Sequence, residues 1–189
     1  ASKPAIFFSM PGLAPASSLE QAAEQVRGRG FAYMTLEHLS PPLHAIMGLK
    51  SLLGLRSPIH TVARMVNPLG AAFSINGVTH PPYLPVHQGS ALALGDRWTA
   101  AFKGDGGEVE RRPEKPCEVW AVQDGEAVRE DWPALVDGAR DKEESLDLSR
   151  LGALWRGDEV DAFADAAIAG TIALVLRHSG RAATQAEAE

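Results

Sequence analysis

The chain predicts an α/β fold, a central sheet flanked by helices, and three observations carry that expectation. Helical periodicities alternate along the chain with short apolar runs. Those runs are bounded by glycine and proline, as strands are. The 189 residues, 45% hydrophobic and 22% charged, suffice for one domain with a proper core.

Ser17-Ser18 caps a helix expected over 19–29, and Gly28 and Gly30 mark its end. Residues 31–36 read as a short buried strand. Pro41-Pro42 opens a second helix ending at Gly54, with Leu43, Ile46, Met47, Leu49, Leu52 and Leu53 as its core side. A further helix starts at Ser57-Pro58 and closes at Asn67-Pro68, because the residue before proline is pushed out of the helical region.

Residues 71–78 alternate as a strand does, with Asn76-Gly77 as a bulge or tight bend. Pro81-Pro82 leads into a helix over 83–94, interrupted by Gly89. Strands are expected at 98–102 and 118–122, and Gln123-Asp-Gly-Glu126 has the form of a hairpin turn. Residues 131–147 read as an acidic surface connection, 147–155 as an amphipathic helix, and 161–178 as a long core helix. Asp161 and Asp165 suit the helix dipole at its start, and His178 reads as a cation at its end.

Net charge is −6, unevenly spread: residues 1–103 hold eight Lys/Arg against four Asp/Glu, and 104–189 hold ten against twenty. A basic first half favours phosphates or acidic small molecules, whereas the acidic second half implies a solvated surface. An overall negative charge argues against an independent nucleic-acid module. No apolar run is long enough to cross a bilayer and no signal peptide is visible, so no membrane partner and a cytoplasmic setting are expected. The single Cys117 has no partner for an internal disulfide or a metal, and reads as an ordinary strand residue. The chain begins at Ala1, and Thr184-Gln-Ala-Glu187 launches a capping box with two residues after it, which reads as a piece of a longer protein.

Two stretches carry candidate chemistry. At Arg56-Ser-Pro-Ile-His60, the free N–H groups of a helix start attract carboxylate or phosphate, with Arg56 before the cap and His60 and Arg64 at four-residue steps. The alternative is a surface helix with two solvated arginines. The second stretch, Lys103-Gly-Asp-Gly-Gly-Glu-Val-Glu-Arg-Arg-Pro113, is a glycine-rich strand exit followed by carboxylates and arginines. Its glycines permit close backbone approach, and Glu108 or Glu110 could ligate magnesium through water. Here the alternative is a polar loop.

Leu53-Gly-Leu-Arg-Ser-Pro-Ile-His60, running on to Asn67-Pro68, resembles the L-G-x-R-[ST]-x-x-[NH] … N-P signature of anthranilate phosphoribosyltransferase and its relatives in the nucleoside phosphorylase/phosphoribosyltransferase superfamily. Gly77-Val-Thr-His-Pro-Pro-Tyr83 resembles the family's G-V-x-x-P-x-Y strand exit, and Gly180-Arg-Ala182 with Gln185-Ala-Glu-Ala188 resembles its ending. The resemblance covers roughly residues 12 to 189 and implies the C-terminal half of a phosphoribosyltransferase-like domain, with 1–11 unassigned. It implies an aromatic-acid substrate at Arg56, and an N-terminal helical domain, absent here, through which family members form homodimers. His60-Thr-Val-Ala-Arg-Met-Val-Asn-Pro68 departs from the tryptophan-pathway pattern, and at Gly107-Glu108-Val109 only one of the family's two magnesium-holding carboxylates is kept. These departures resemble the YbiB-type branch, which is associated with DNA and nucleic-acid binding.

Two functions are therefore expected. In the first, a YbiB-type protein binds nucleic acid or another phosphate-bearing ligand through a basic cleft, with Lys50, Arg56, Arg64, Arg111 and Arg112 meeting the backbone. Arg56, Ser57, His60, Gly106 and Gly107 would form the substrate or anion site. In the second, the protein transfers a phosphoribosyl group to an aromatic acid or amine, with Glu108 on magnesium and the missing N-terminal half supplying the diphosphate loop.

Overall fold

The structure is a computed structural model that describes residues 14–54, 58–138 and 148–189. The chain divides into two compact units, Ala1–Gly70 and Ala71–Glu189.

In the first unit, α1 (Leu19–Arg29) forms as the capping residues dictate. The Ser18 hydroxyl accepts from the Gln21 N–H at 3.2 Å, and Gly30 closes the helix in the left-handed region (φ 75°). The strand expected over 31–36 is reduced to one parallel bridge between Ala16 and Met34. Thr35 then caps a short helix, α2 (Leu36–Leu39), and its hydroxyl lies 2.8 Å from His38 Nδ1, so the chain turns helical before a ladder can extend.

The expected 41–54 helix is two pieces, α3 (Pro41–Gly48) and α4 (Lys50–Leu53), joined at Leu49. Its expected core side is not a core: Ile46, Leu49, Leu52 and Leu53 are exposed, Leu52 at 81%. Periodicity identifies a face that favours cover, but the described residues of this unit supply no extended sheet to provide it. The next helix, α5 (Ile59–Val62), is also shorter than Asn67-Pro68 implies. Arg64 lies in the turn after it, its N–H donating to Thr61 O at 3.1 Å, instead of one helical turn beyond His60.

The second unit holds the central sheet, in the order β1 (Ser74–Val78), β2 (Trp98–Lys103), β3 (Cys117–Gln123) and β4 (Glu126–Trp132). β1 and β2 are parallel, and a 3₁₀ turn at Pro81–Tyr83 followed by α6 (Leu84–Leu94) carries the chain between them. β2, β3 and β4 are antiparallel neighbours. Asp124 (φ 51°) and Gly125 (φ 86°) make the β3–β4 turn, the Asp-Gly pair that a two-residue hairpin with both central residues left-handed requires.

Alternation along the strands divides the core into two layers. On one face Ala100, Phe102, Cys117, Val119, Ala121 and Trp132 pack with Ala173 and Leu174 of α8 (Ala162–His178). On the other, Val78 and Ala101 pack with Leu84 of α6, and Trp120 lies against them. The sheet is thus flanked by helices, as the sequence implies. Asp161 caps α8, its carboxylate accepting from the Phe163 and Ala164 N–H groups at 3.0 and 3.1 Å, and Arg150 of α7 (Leu148–Arg156) reaches the same carboxylate at 2.7 Å. The capping box at Thr184 forms as well and starts α9 (Gln185–Ala188), with Glu187 N–H donating to the threonine hydroxyl at 3.1 Å.

Three expectations in this unit change. Asn76-Gly77 is not a bulge, because β1 runs in unbroken register with β2 from Ser74↔Thr99 to Val78↔Lys103. Trp132 does not belong to a surface connection; it ends β4 and is buried. His178 is wholly buried and is not a helix-end cation. Burial, the largest influence, lowers its pKa, opposed by Glu130, and Gln123 Nε2 donates to its neutral Nδ1 at 3.0 Å.

Candidate functional site at the carboxyl end of the parallel strands

β1 and β2 end side by side at Val78 and Lys103, and the Gly104 N–H donates to Val78 O at 3.0 Å just beyond them. The carboxyl end of parallel strands is where open α/β sheets place ligands. The chain leaves β2 through Gly104 and a tight 3₁₀ turn, Asp105–Gly107, in which Gly106 (φ 63°) and Gly107 (φ 81°) adopt angles that side chains disfavour. The turn folds back so that the Glu108 carbonyl lies directly over Gly77 and Gly104. A Cβ on Gly77 would stand 2.5 Å from the Glu108 carbonyl carbon and 2.6 Å from Gly107 O. Close backbone approach is therefore why glycine occupies position 77.

Beside this turn a cleft of about 220 Å³ is lined by Pro81, Leu84, Lys103, Arg112, Lys115, Pro116, Cys117 and Glu118. Lys103 ends β2, Lys115 precedes β3, both are exposed, and neither makes an ion pair among the described residues. Arg112 is held from both sides. Its Nε donates to Glu114 Oε1 at 2.8 Å, its Nη2 also pairs with that oxygen, and its Nη1 lies 3.2 Å from both carboxylate oxygens of Asp105. Glu114, first among the influences on it, pushes the Arg112 pKa further up. Glu118 is taken by Arg129 and by Trp120, whose Nε1 donates to it at 2.9 Å. Burial pushes the Cys117 thiol up to about 11, so the cleft holds no ready thiolate.

The expected site residues are distributed as follows. Arg56 and Ser57 lie outside the described residues. Lys50, His60 and Arg64 belong to the first unit, Lys50 and Arg64 exposed and His60 half-buried. Gly106, Gly107, Glu108 and Arg112 belong to the strand exit of the second unit, where Arg112 lines the cleft. Arg111 corrects its expectation as a phosphate contact. Its side chain is wholly buried, with the guanidinium 5.0 Å above the Trp132 ring, Nη2 donating to Pro133 O at 2.5 Å and Nη1 3.3 Å from a carboxylate oxygen of Glu189. No nucleic-acid backbone reaches a guanidinium placed there. Lys103 and Lys115 were the cations not singled out; the signal for them was a lysine at each rim of the glycine-rich exit.

Magnesium, which the resemblance implies, does not suit this donor set. Asp105 and Glu114 are engaged by Arg112, Val109 stands beside Glu108 where the family pattern implies a second carboxylate, and among the described residues no three His, Cys, Asp or Glu side chains gather to hold a metal ion. Nor is any helix among them long and apolar enough to cross a membrane.

Fold and cleft together define an α/β protein with a small, lysine-rimmed pocket at the end of its parallel strands. Comparison with known proteins finds distant relatives. The chain is 30% identical over 88 residues to an anthranilate phosphoribosyltransferase of Anaeromyxobacter sp. (strain Fw109-5), covering 47% of this chain and 25% of that enzyme. It is 27% identical over 107 residues to the anthranilate phosphoribosyltransferase of Novosphingobium aromaticivorans, covering 57% of this chain and 32% of that enzyme. To the protein YbiB of Escherichia coli (strain K12) it is 26% identical over 124 residues, 65% of this chain and 38% of YbiB. The chain thus spans between a quarter and two fifths of these relatives' lengths. No protein-family model matches it.

Proposed function

We propose that this chain is part of an anthranilate phosphoribosyltransferase-like protein of the YbiB type that binds nucleic acid, or another phosphate-bearing ligand, through its basic cleft. The observation that carries the reading is the pair Lys103 and Lys115, neither in an ion pair among the described residues, lining one cleft at the carboxyl end of β1 and β2. An ammonium group is a compact point charge that accepts phosphate oxygens from many directions, which suits sequence-independent contact with a backbone. Arg56, Lys50 and Arg64 extend the same basic character along the first seventy residues. The similarity to YbiB and the departures at His60 and Val109 favour this branch over an active transferase.

Fluorescence anisotropy with a labelled single-stranded oligonucleotide tests the reading. Affinity should fall steeply with salt, and Lys103→Ala and Lys115→Ala should each reduce the slope of log K against log salt by about 1. Binding without salt dependence, or none at low salt, refutes it.

The similarity to named anthranilate phosphoribosyltransferases supports a second reading, transfer of a phosphoribosyl group to an aromatic acid or amine, with Arg56 at the acceptor. Diphosphate release by the chain joined to a phosphoribosyltransferase N-terminal half, assayed with several acceptors, decides between them. Turnover with any acceptor favours the transferase.

A further inference from the structure

The strand exit carries four carboxylates, Asp105, Glu108, Glu110 and Glu114, and two of them already face the same guanidinium. Arg112 Nη1 faces both oxygens of Asp105 at 3.2 Å, and its Nε and Nη2 converge on Glu114 Oε1. Glu114 is the deeper partner, its side chain 3% exposed; Arg112 meets its Oε1, while Oε2 is buried without a hydrogen-bond partner among the described residues. A guanidinium does not lose its proton in a protein. A metal ion taking Asp105 and Glu114 as ligands would compete with Arg112 for the same oxygens, and metal and guanidinium repel each other at such close range. Lys103 and Lys115 on the same cleft have no such engagement among the described residues and remain available to an incoming anion.

We propose that Arg112, clamped between Asp105 and Glu114, is the built-in cation of this cleft, so that a phosphate-bearing ligand binds Lys103 and Lys115 directly and without a divalent metal. The inference rests on the reading of the cleft as a phosphate site. Arg112 acts as a positioning residue: it offsets one of the two negative charges that would otherwise repel phosphate, and it fixes the Asp105–Gly107 turn against the segment carrying Lys115.

Two measurements on the whole chain test it: binding of Mn²⁺ alone by electron paramagnetic resonance, and anisotropy of a labelled single-stranded oligonucleotide in EDTA or Mg²⁺ at matched ionic strength. The parent should bind the oligonucleotide equally, within about twofold, in both buffers and leave Mn²⁺ free at submillimolar concentration. Arg112→Met, checked for folding by its melt, should release the two carboxylates and bind Mn²⁺ at least tenfold more tightly than the parent. Arg112→Lys keeps the charge and should keep Mn²⁺ out, which supports the inference even where the methionine variant does not fold. Oligonucleotide binding lost in EDTA and restored by Mg²⁺, or tight Mn²⁺ binding by the parent, overturns the inference and leaves the phosphate reading standing. No oligonucleotide binding in either buffer overturns both.

Discussion

The Glu108 carbonyl, which lies over two strand-end glycines, makes Gly104→Ala a demanding test of the site. Gly104 has ordinary extended angles (φ −116°, ψ 156°), so alanine brings no backbone strain of its own. The obstacle is steric. A Cβ there falls within the Glu108 carbonyl group, 2.9 Å from its carbon and closer still to its oxygen. The oxygen would have to retreat by more than an ångström, and being backbone it moves only with the whole turn. Overpacking of a fitted interior costs about 1–3 kcal/mol, and a main-chain obstacle argues for the upper end, about 3 kcal/mol. That is a large part of the roughly 5–15 kcal/mol holding a typical domain folded. Gly89→Ala is the control: it lies inside α6, a Cβ there meets nothing within 4 Å, and alanine should stabilise by about 0.5–1 kcal/mol. Urea unfolding followed by circular dichroism reads both. If Gly104→Ala unfolds within about 0.5 kcal/mol of the parent, the carbonyl does not sit where the structure puts it, and the cleft beside it is wrongly drawn.

Other outcomes follow from the same contacts. Arg111→Leu should lower stability by about 2–4 kcal/mol through the lost Pro133 hydrogen bond and packing on Trp132, with oligonucleotide affinity unchanged wherever the variant remains folded; a selective loss of binding would restore Arg111 as a ligand contact. Asp161→Ala removes the α8 cap and the Arg150 partner and should cost about 1–2 kcal/mol in a thermal melt, whereas an unchanged melt would show the cap to be idle. The buried His178 has a folded-state pKa lowered to about 4, below its unfolded value near 6.5, so the unfolded chain binds the extra proton first. Stability should accordingly fall as pH drops from about 6.5 towards 4, by at most about 3 kcal/mol from this group, and His178→Gln should flatten that part of the profile relative to the parent. Cys117 should react with a thiol reagent only after unfolding, and rapid modification of the native protein would contradict its burial.

What the sequence could and could not predict divides along a physical line. Signals closed within a few residues survived into the structure. Ser18, Gly30, the Asp124-Gly125 turn and the Thr184 capping box each satisfy their backbone groups locally, so reading them needs no knowledge of the rest of the chain. Signals completed by distant partners did not. The apolar side of α3 and α4 states a preference for cover without saying what covers it, and the 31–36 strand lacked the ladder that would have extended it. Charge was the least legible property, because one residue type serves opposite ends according to its neighbours. Arg111 and Arg112 are adjacent in sequence and look equivalent, yet one is buried beneath Trp132, Pro133 and Glu189, and the other lines the cleft between two carboxylates. An extended backbone sends successive side chains in opposite directions, so an Arg-Arg pair at a strand exit supplies one arginine to the core and one to the site. Which arginine does which depends on where the next aromatic ring lies, and Trp132 lies some twenty residues further along the chain. The two lysines are illegible in sequence for the converse reason: Lys103 and Lys115 are twelve residues apart and share a cleft only because the glycine turn folds the segment between them back over the strand ends.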